Sequence, residues 1–399
     1  MDNQISINHR QLISLFENIN NRILIMLANL PENLIVKYQA IAGDSLEYRL
    51  FSEADELQLI SLRNELEILR VQYTQIITKM LKIPVYQTSL YKIVASYGCI
   101  EKAGIFNDHV PSKLFFLTPF VSVRVYNKIS NYSLSLCYYG EYNDSKMLST
   151  AMKLSKYLWF IPGESITTQD NIFHDIYFPP DIASLIFHEV IGHAFEGDTY
   201  FSMESPLCKF HFGERICISG IDIINISNGM WLGAEGFDDE GTVGKYQYLV
   251  HNGIFVDLMV DNYLAKKYHL SPCGNCRSAY PFHTTNIRMT NFVVQRCNDS
   301  HLILNDQIIQ WVAYEPKLLY AMNNGKFSIL IGKLVNVKSN IVLSNLIYTD
   351  EVSHFLHEIT SYSDDFSAFT GICEKNGEKI NVTNGSIGVL MGTLFISHS

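Results

Sequence analysis

The sequence has no long hydrophobic run. Its longest apolar stretch, Ile387–Ile396, falls well short of the ~20 residues that a membrane helix needs, so no membrane association is predicted. Nor is there an excess of positive charge. Thirty basic residues face 40 acidic ones, for a net charge of −10, which argues against a nucleic-acid partner. Charged residues make up only 18% against 47% hydrophobic, a balance that excludes a disordered chain because enough apolar surface is available to offset chain entropy. The opening Met1–Asn8 has no basic stretch leading into an apolar core, so the reading is no signal peptide and a cytoplasmic protein. No internal repeat or low-complexity tract is visible. Eight cysteines in 399 residues are not a disulfide framework. Most read as small buried thiols, with at most a few acting as ligands.

Length allows two domains. In the first hundred residues, apolar side chains at Leu12, Leu15, Phe16, Ile19, Ile23, Met26, Leu27 and Leu30 predict an amphipathic helix over Gln11–Leu30. A heptad seam follows at Leu59, Leu62, Leu66, Leu69, Tyr73, Ile76 and Met80, ended by Pro84. Alternation then predicts strands at Val121–Tyr126 and Tyr132–Tyr138, joined by a hairpin loop, and a helix is expected over Ser145–Leu158. Turn residues at Ile161–Glu164 mark a boundary. Beyond it, Pro179-Pro180-Asp181 opens one helix and a second is expected over Asp257–Tyr268. The remainder reads as strands at Ile216–Ile226, Lys245–Val250, Phe292–Gln295, Phe327–Val337 and Ser386–Phe395, with hairpin turns at Asn252-Gly253 and Asn324-Gly325.

The sharpest chemical signal is His188-Glu189-Val190-Ile191-Gly192-His193. Imidazoles are good zinc ligands. A carboxylate beside them that does not bind the metal can serve as a general base in hydrolysis. Five steps along a regular α-helix leave the two histidines about 140° apart. A π-type turn, in which residues five apart return to one face, is therefore predicted between them, with Gly192 where the distortion costs least. Two histidines do not complete a catalytic zinc site, which usually has three protein ligands and an open position. By spacing alone the third ligand is open among Glu196, Asp198, His211, a cysteine or a residue near the C-terminus.

Several segments together resemble the TldD/PmbA family, also called modulators of DNA gyrase, whose TldD-type members are described as metallopeptidases. HEVIGHAFEGD at 188–198 resembles H-E-x-x-x-H-x-x-E-G-D, and Asp238-Asp239-Glu240-Gly241-Thr242 resembles D-D-E-G-T. Gly274-Asn275-Cys276-Arg277 resembles G-N-G-R, Arg288-Met289-Thr290-Asn291 resembles R-M-T-N, and the segment around Cys373 and Gly377 is similar to C-G-K-x-G-Q. The matches keep their order across residues 175–399, whereas the first 165 residues match weakly. Two departures are Glu374 where the family has glycine, and Cys276, which creates Cys273-x-x-Cys276. That pair reads as two free thiols in a loop.

The resemblance implies Cys373 as third metal ligand beside His188 and His193, Glu189 as the catalytic base and Zn2+ as cofactor. It also implies a peptidase for short, extended or unfolded peptides, including the leader or precursor segments of peptides made on the ribosome. Its expected assembly is a homodimer, or a heterodimer with a TldE/PmbA-like sister subunit. A non-catalytic partner or scaffold subunit, and a metal-dependent enzyme doing other chemistry on a peptide, are the competing readings. The fold expected is α+β: a divergent α/β N-terminal domain over 1–165, then a C-terminal domain over 166–399 of mainly antiparallel β-sheet carrying the metal-binding helix. The run Asp238–Glu240 is expected to order a loop below the site. Arg277 and Arg288 are open between peptide recognition and structural pairing, and His251, His283 and His301 are undifferentiated candidates for stabilising an oxyanion.

Overall fold

The computed structural model describes residues 172–398 except for 229–232, 235, 279–283, 298–303, 305–306, 324 and 340. Before residue 172 it describes strands β1 (Ser6–Asn18), β2 (Arg22–Leu24), β3 (Ile35–Gln39), β4 (Ser45–Arg49), β5 (Leu90–Gly104), β6 (Ser112–Asn127), β7 (Tyr132–Tyr139) and β8 (Ile161–Pro162). It also describes helical positions at Leu57, Ile60, Ser61, Asn64, Glu65, Ile68, Val71, Gln72 and Gln75. These fall on the helix predicted from the heptads, with Leu57, Ile60, Ile68 and Val71 exposed. The seam residues themselves and the helix predicted at Ser145–Leu158 lie outside the described residues.

Strands before residue 140 form an antiparallel sheet in the order β2-β1-β5-β6-β7. The hairpin predicted near residues 121–138 is present, with Asn127 opposite Tyr132. The helix predicted over Gln11–Leu30 is not. Ser6–Asn18 pairs along its whole length with β5, from Ser6↔Gly104 to Asn18↔Lys92, and β2 folds back on its end. The spacing of Leu12, Leu15 and Phe16 suits either element, and a partner strand some eighty positions away, invisible to local periodicity, decides it.

The second part contains β9 (Ile172–Phe178), β10 (Ile221–Ile226), β11 (Tyr246–His251), β12 (Ile254–Phe255), β13 (Cys276–Arg277), β14 (Asn286–Ile287), β15 (Asn291–Arg296), β16 (Trp311–Asn323), β17 (Lys326–Asn336), β18 (Ile341–Glu351), β19 (Ile359–Lys375) and β20 (Glu378–His398). Their main sheet runs β12-β11-β10-β15-β20-β9-β16-β17-β18-β8, with β19 on β20. The end of β20 also pairs with β18, Leu346 opposite His398. The ring β20–β9–β16–β17–β18 therefore closes like a barrel. Pairings are antiparallel except β15–β20, β9–β16 and β8–β18. A mostly stranded molecule with short helices is compatible with the α+β expectation.

The helix Pro180–Ile186 starts with Pro at its first turn, where the missing N–H costs nothing. It buries Ile182, Ala183 and Ile186 against β20. Val352–Glu358 adds Val352, Phe355 and Leu356 to the same core, with Phe355 edge-on to Phe187 at 5.7 Å between ring centroids. The helix expected over Asp257–Tyr268 begins only at Asn262, capped by the Asp261 side chain accepting from Leu264 N at 2.7 Å. Leu258, Met259 and Val260 are fully buried and extended. Met259 N donates to Phe195 O and its carbonyl accepts from Gly197 N. A continuous buried apolar triplet next to an open backbone edge is satisfied as a strand-like bridge, which a helix could not make. At Asn252-Gly253 both residues take positive φ, 50° and 77°, as the predicted turn requires.

Candidate metal centre

After Ile186 the helix widens. Phe187–Gly192 is a π-helical turn, followed by a 3-10 turn His193–Phe195 and an extended Glu196. The predicted distortion is thus present between the two histidines. It sets the His188 and His193 rings 5.5 Å apart, centroid to centroid, at 75°. Gly192 matters for a different reason from the one expected. Its φ of −60° and ψ of −48° suit any residue, but a Cβ there would meet Met289 Sδ at 2.2 Å. The glycine admits the methionine of the Arg288–Asn291 segment onto the π turn.

Cys373 lies on β19, opposite Ile380 of β20. One donor atom each from His188, His193 and Cys373 falls within 4.8 Å of the others, and His193 Nε2 is 3.5 Å from Cys373 Sγ. His188 is 2% and Cys373 1% exposed, whereas the His193 side chain keeps 14%, so the trio is approached from the His193 side. Among the described residues neither ring nitrogen of the buried His188 has a hydrogen-bond partner, a costly state for a native side chain that a cation would relieve. Two imidazoles and a thiol are a zinc donor set. Burial alone would push the Cys373 thiol up, but the imidazoles of His188 and His193 outweigh it and hold the thiol down at about 5. The group is therefore a thiolate at neutral pH, as a metal ligand must be.

Residues around the trio fix its geometry. His193 Nδ1 is 3.1 Å from Glu196 Oε1, which orients the ring with Nε2 toward Cys373, the usual way a histidine ligand is steered. Burial opposes charge on His193, yet Glu196 and Cys373 beside it hold its pKa well above the ordinary value. Lys375, two residues after Cys373 and so on the same face of β19, donates to Glu196 Oε2 at 2.8 Å, Asp198 Oδ2 at 2.7 Å and Ile287 O at 3.1 Å. Of the alternatives for a third ligand, Glu196 and Asp198 are held by Lys375, and His211 is exposed. Glu189 follows His188 on the π turn, is part-exposed and lies outside the converging trio.

The remaining motifs are scaffolding. Asp238 Oδ1 accepts from the backbone N of Glu240 and Thr242, and its Oδ2 from Cys276 N. Asp239 Oδ2 accepts from Ser278 N. The acidic run thus orders its loop, as expected. Asn275 and Arg288 exchange bonds, Arg288 N to Asn275 O and Asn275 Nδ2 to Arg288 O. Arg277 donates to Met289 O and Asn381 O. Arg288, fully buried, donates to the carbonyls of Cys373, Lys375 and Glu378. Both arginines grip backbone of the fold, with Arg288 clamping the hairpin that presents Cys373. Sequence reasoning missed that positioning role. Cys273 and Cys276 are buried free thiols, with burial pushing Cys273 up to about 11 and Cys276 further still. His283 and His301 lie outside the described residues.

No helix among the described residues is long and apolar enough to cross a membrane. Residues 173–387, more than half of the chain, match the family model of the PmbA/TldA metallopeptidase C-terminal domain. A zinc metalloprotease TldD homolog of Saccharolobus solfataricus is 27% identical over 221 residues, 53% of this chain and 48% of that protein. A metalloprotease of Methanothermobacter thermautotrophicus is likewise 27% identical over 221 residues, covering 47% of its length. The chain thus spans about half the length of the curated relatives it matches. In fold it is similar to TldE from Thermococcus kodakarensis, with a TM-score of 0.58 at 15% identity over 80% of this chain and 73% of that one. A putative modulator of DNA gyrase from Thermotoga maritima gives a TM-score of 0.54 at 15% identity, covering 77% of this chain and 68% of that one. The chain belongs to the PmbA/TldD family.

Proposed function

We propose that this chain is a zinc-dependent peptidase, with His188, His193 and Cys373 holding the metal and Glu189 acting as general base. The observation that carries the reading is the convergence of a buried, unpartnered imidazole, a second imidazole steered by Glu196, and a thiolate contributed from 180 residues further along the chain. A zinc ion bound there supplies Lewis acidity, polarising the scissile carbonyl and acidifying water. Glu189, outside the donor set and part-exposed, takes the proton of the attacking water and passes it to the leaving amine. The Glu196–Lys375 pair beside His193 keeps the trio aimed without contributing a ligand.

Substrates on this reading are short or unfolded peptides. Among the described residues, β19 pairs with β20 alone, and Ile372 beside Cys373 is exposed. An extended peptide reaching the centre from the side of the exposed Ile372 would be held through main-chain hydrogen bonds, with little side-chain preference. A leader or precursor peptide has the required extended form. The likeness to TldE supports assembly with a sister subunit of that kind.

The test is zinc content and hydrolysis of an unstructured peptide, with and without a TldE-type subunit. Wild type is expected to bind zinc and cleave. Glu189→Gln is expected to keep the metal but lose ~10²–10⁴ in rate, and Cys373→Ala to lose the metal. Near-normal cleavage by Glu189→Gln would remove the base assignment. Absence of both zinc and cleavage in wild type, with a stable complex still formed, would make the chain a scaffold subunit.

A further inference from the structure

We infer that Asp222, His251 and Cys297 form a second cation site, for a thiophilic divalent metal of the zinc type. The three residues stand at neighbouring ends of three paired strands. Asp222 is second in β10, His251 ends β11, and Cys297 directly follows β15, whose Arg296 faces Ile221. One donor atom from each lies within 4.8 Å of the others, and His251 Nδ1 is 3.0 Å from Asp222 Oδ1. None of the three belongs to the elements that carry His188, His193 and Cys373.

The site is built on backbone contacts. Asn252 N donates to Asp222 Oδ1 at 2.8 Å, so among the described residues both hydrogen bonds to this carboxylate fall on Oδ1. Cys297 N donates to Gly220 O at 2.8 Å, which ties the thiol-bearing residue to the start of β10. Asp222 is 3% and Cys297 7% exposed, whereas the His251 side chain is 54% exposed. Cys297 is in no disulfide.

The donor set decides the class of ligand. A carboxylate, an imidazole and a thiolate together carry two negative charges, which a divalent cation neutralises. A buried carboxylate whose side-chain partner is a half-exposed histidine gains most from such a charge. Sulfur and nitrogen donors favour zinc-type metals over calcium or magnesium, which take oxygen ligands. Three protein ligands with an open face at the imidazole leave a fourth position for water, as in open zinc sites. Sequence reasoning had His251 only as an unassigned candidate, because 29 positions separate it from Asp222.

The experiment is a Co2+ titration of the metal-free full chain. It counts equivalents by metal analysis and follows thiolate-to-cobalt charge-transfer absorption, with Zn2+ displacement as confirmation. Wild type is expected to bind two equivalents. His251→Ala, chosen because that side chain is exposed and its loss leaves the core untouched, and Cys297→Ser are each expected to bind one. Cys373→Ser should also bind one, and the double variant Cys297→Ser/Cys373→Ser none. An equivalent that disappears with Cys373→Ser but is unaffected by His251→Ala and Cys297→Ser, with no other bound, overturns the second site and leaves the peptidase centre standing. An equivalent that tracks His251 and Cys297, with none tracking Cys373, supports the second site while removing the peptidase reading.

Discussion

Arg288 is fully buried and directs its guanidinium to the carbonyls of Cys373, Lys375 and Glu378. Arginine suits this task because a rigid planar fork reaches several acceptors at once, whereas lysine offers a single flexible point charge. The hairpin that presents Cys373 is thus fixed by a residue that touches neither metal nor substrate. Arg288→Lys is expected to lower zinc affinity by roughly 10–100-fold, the usual range for groups that orient ligands, with Cys373 still present. Competition against a chelator of known affinity measures it, and unchanged affinity would reduce Arg288 to a generic structural role. The sequence offered Arg288 equally as a peptide binder, because nothing local states what a buried guanidinium will face.

At the scale of elements, the π turn and the segment packed on it form one unit. Gly192→Ala would place a methyl 2.2 Å from Met289 Sδ, an overpacking expected to cost about 1–3 kcal/mol. Met289→Ala alone should cost about 2–5 kcal/mol through the cavity it leaves. Combined, the two should cost less than their sum, with a coupling of roughly 0.5–3 kcal/mol read from denaturation curves. Strict additivity would mean that the contact is not what selects glycine.

A second link joins β19 to the residues after the 3-10 turn, through Lys375, Glu196 and Asp198. Glu196 is only 1% exposed, so Lys375→Met should be destabilising, by up to about 3–5 kcal/mol, because it leaves a buried carboxylate with His193 as its remaining cationic partner. The pH dependence follows from the directions. Burial opposes ionisation of Glu196, but His193 and Lys375 bring its pKa below the ordinary value. Its contribution is therefore present above about pH 4.3 and lost as pH falls through the lowered folded value. Burial also opposes charge on Lys375, but Glu196 and Asp198 raise its pKa. That contribution is full below about pH 10.4 and lost only as pH rises through the folded value. His193 and Cys373 add their own pH dependence inside these limits, so the measurement is the difference in stability between wild type and Lys375→Met, which should be largest between the limits and shrink outside them.

The whole molecule depends on β20. One strand pairs with β15 at residues 383–386, with β9 at 389–395, with β18 at 396–398 and with β19 along most of its first two-thirds. It closes the ring and joins it to the β10–β11–β15 side, while its hairpin partner carries Cys373. A chain ending at Ile387 keeps the β15 pairing but loses those to β9 and β18. Such a chain is expected to show no cooperative unfolding transition by circular dichroism. A transition like that of wild type would mean that the ring is not needed for folding.

The sequence by itself determined the two-histidine donor motif and the need for a distorted helix if both are to face one point. Two histidines five apart cannot share a face of a regular α-helix, and the π turn at Phe187–Gly192 answers that geometric constraint. Strands with clean alternation, such as those around residues 121–138, and turns with Asn-Gly were legible because their signals are local. Three things were not: the conversion of Ser6–Asn18 into a strand by β5, the extended path of Asp257–Asp261 against Phe195 and Gly197, and the seat of Arg288. The meeting of Cys373 with the histidines was implied by likeness to a family, and no local pattern contained it. Each depends on a partner far along the chain, and the free energy of pairing or burial against that partner exceeds the small local preferences that periodicity reports. Tertiary structure alone decided them, just as it brought Asp222, His251 and Cys297 to one corner of the sheet.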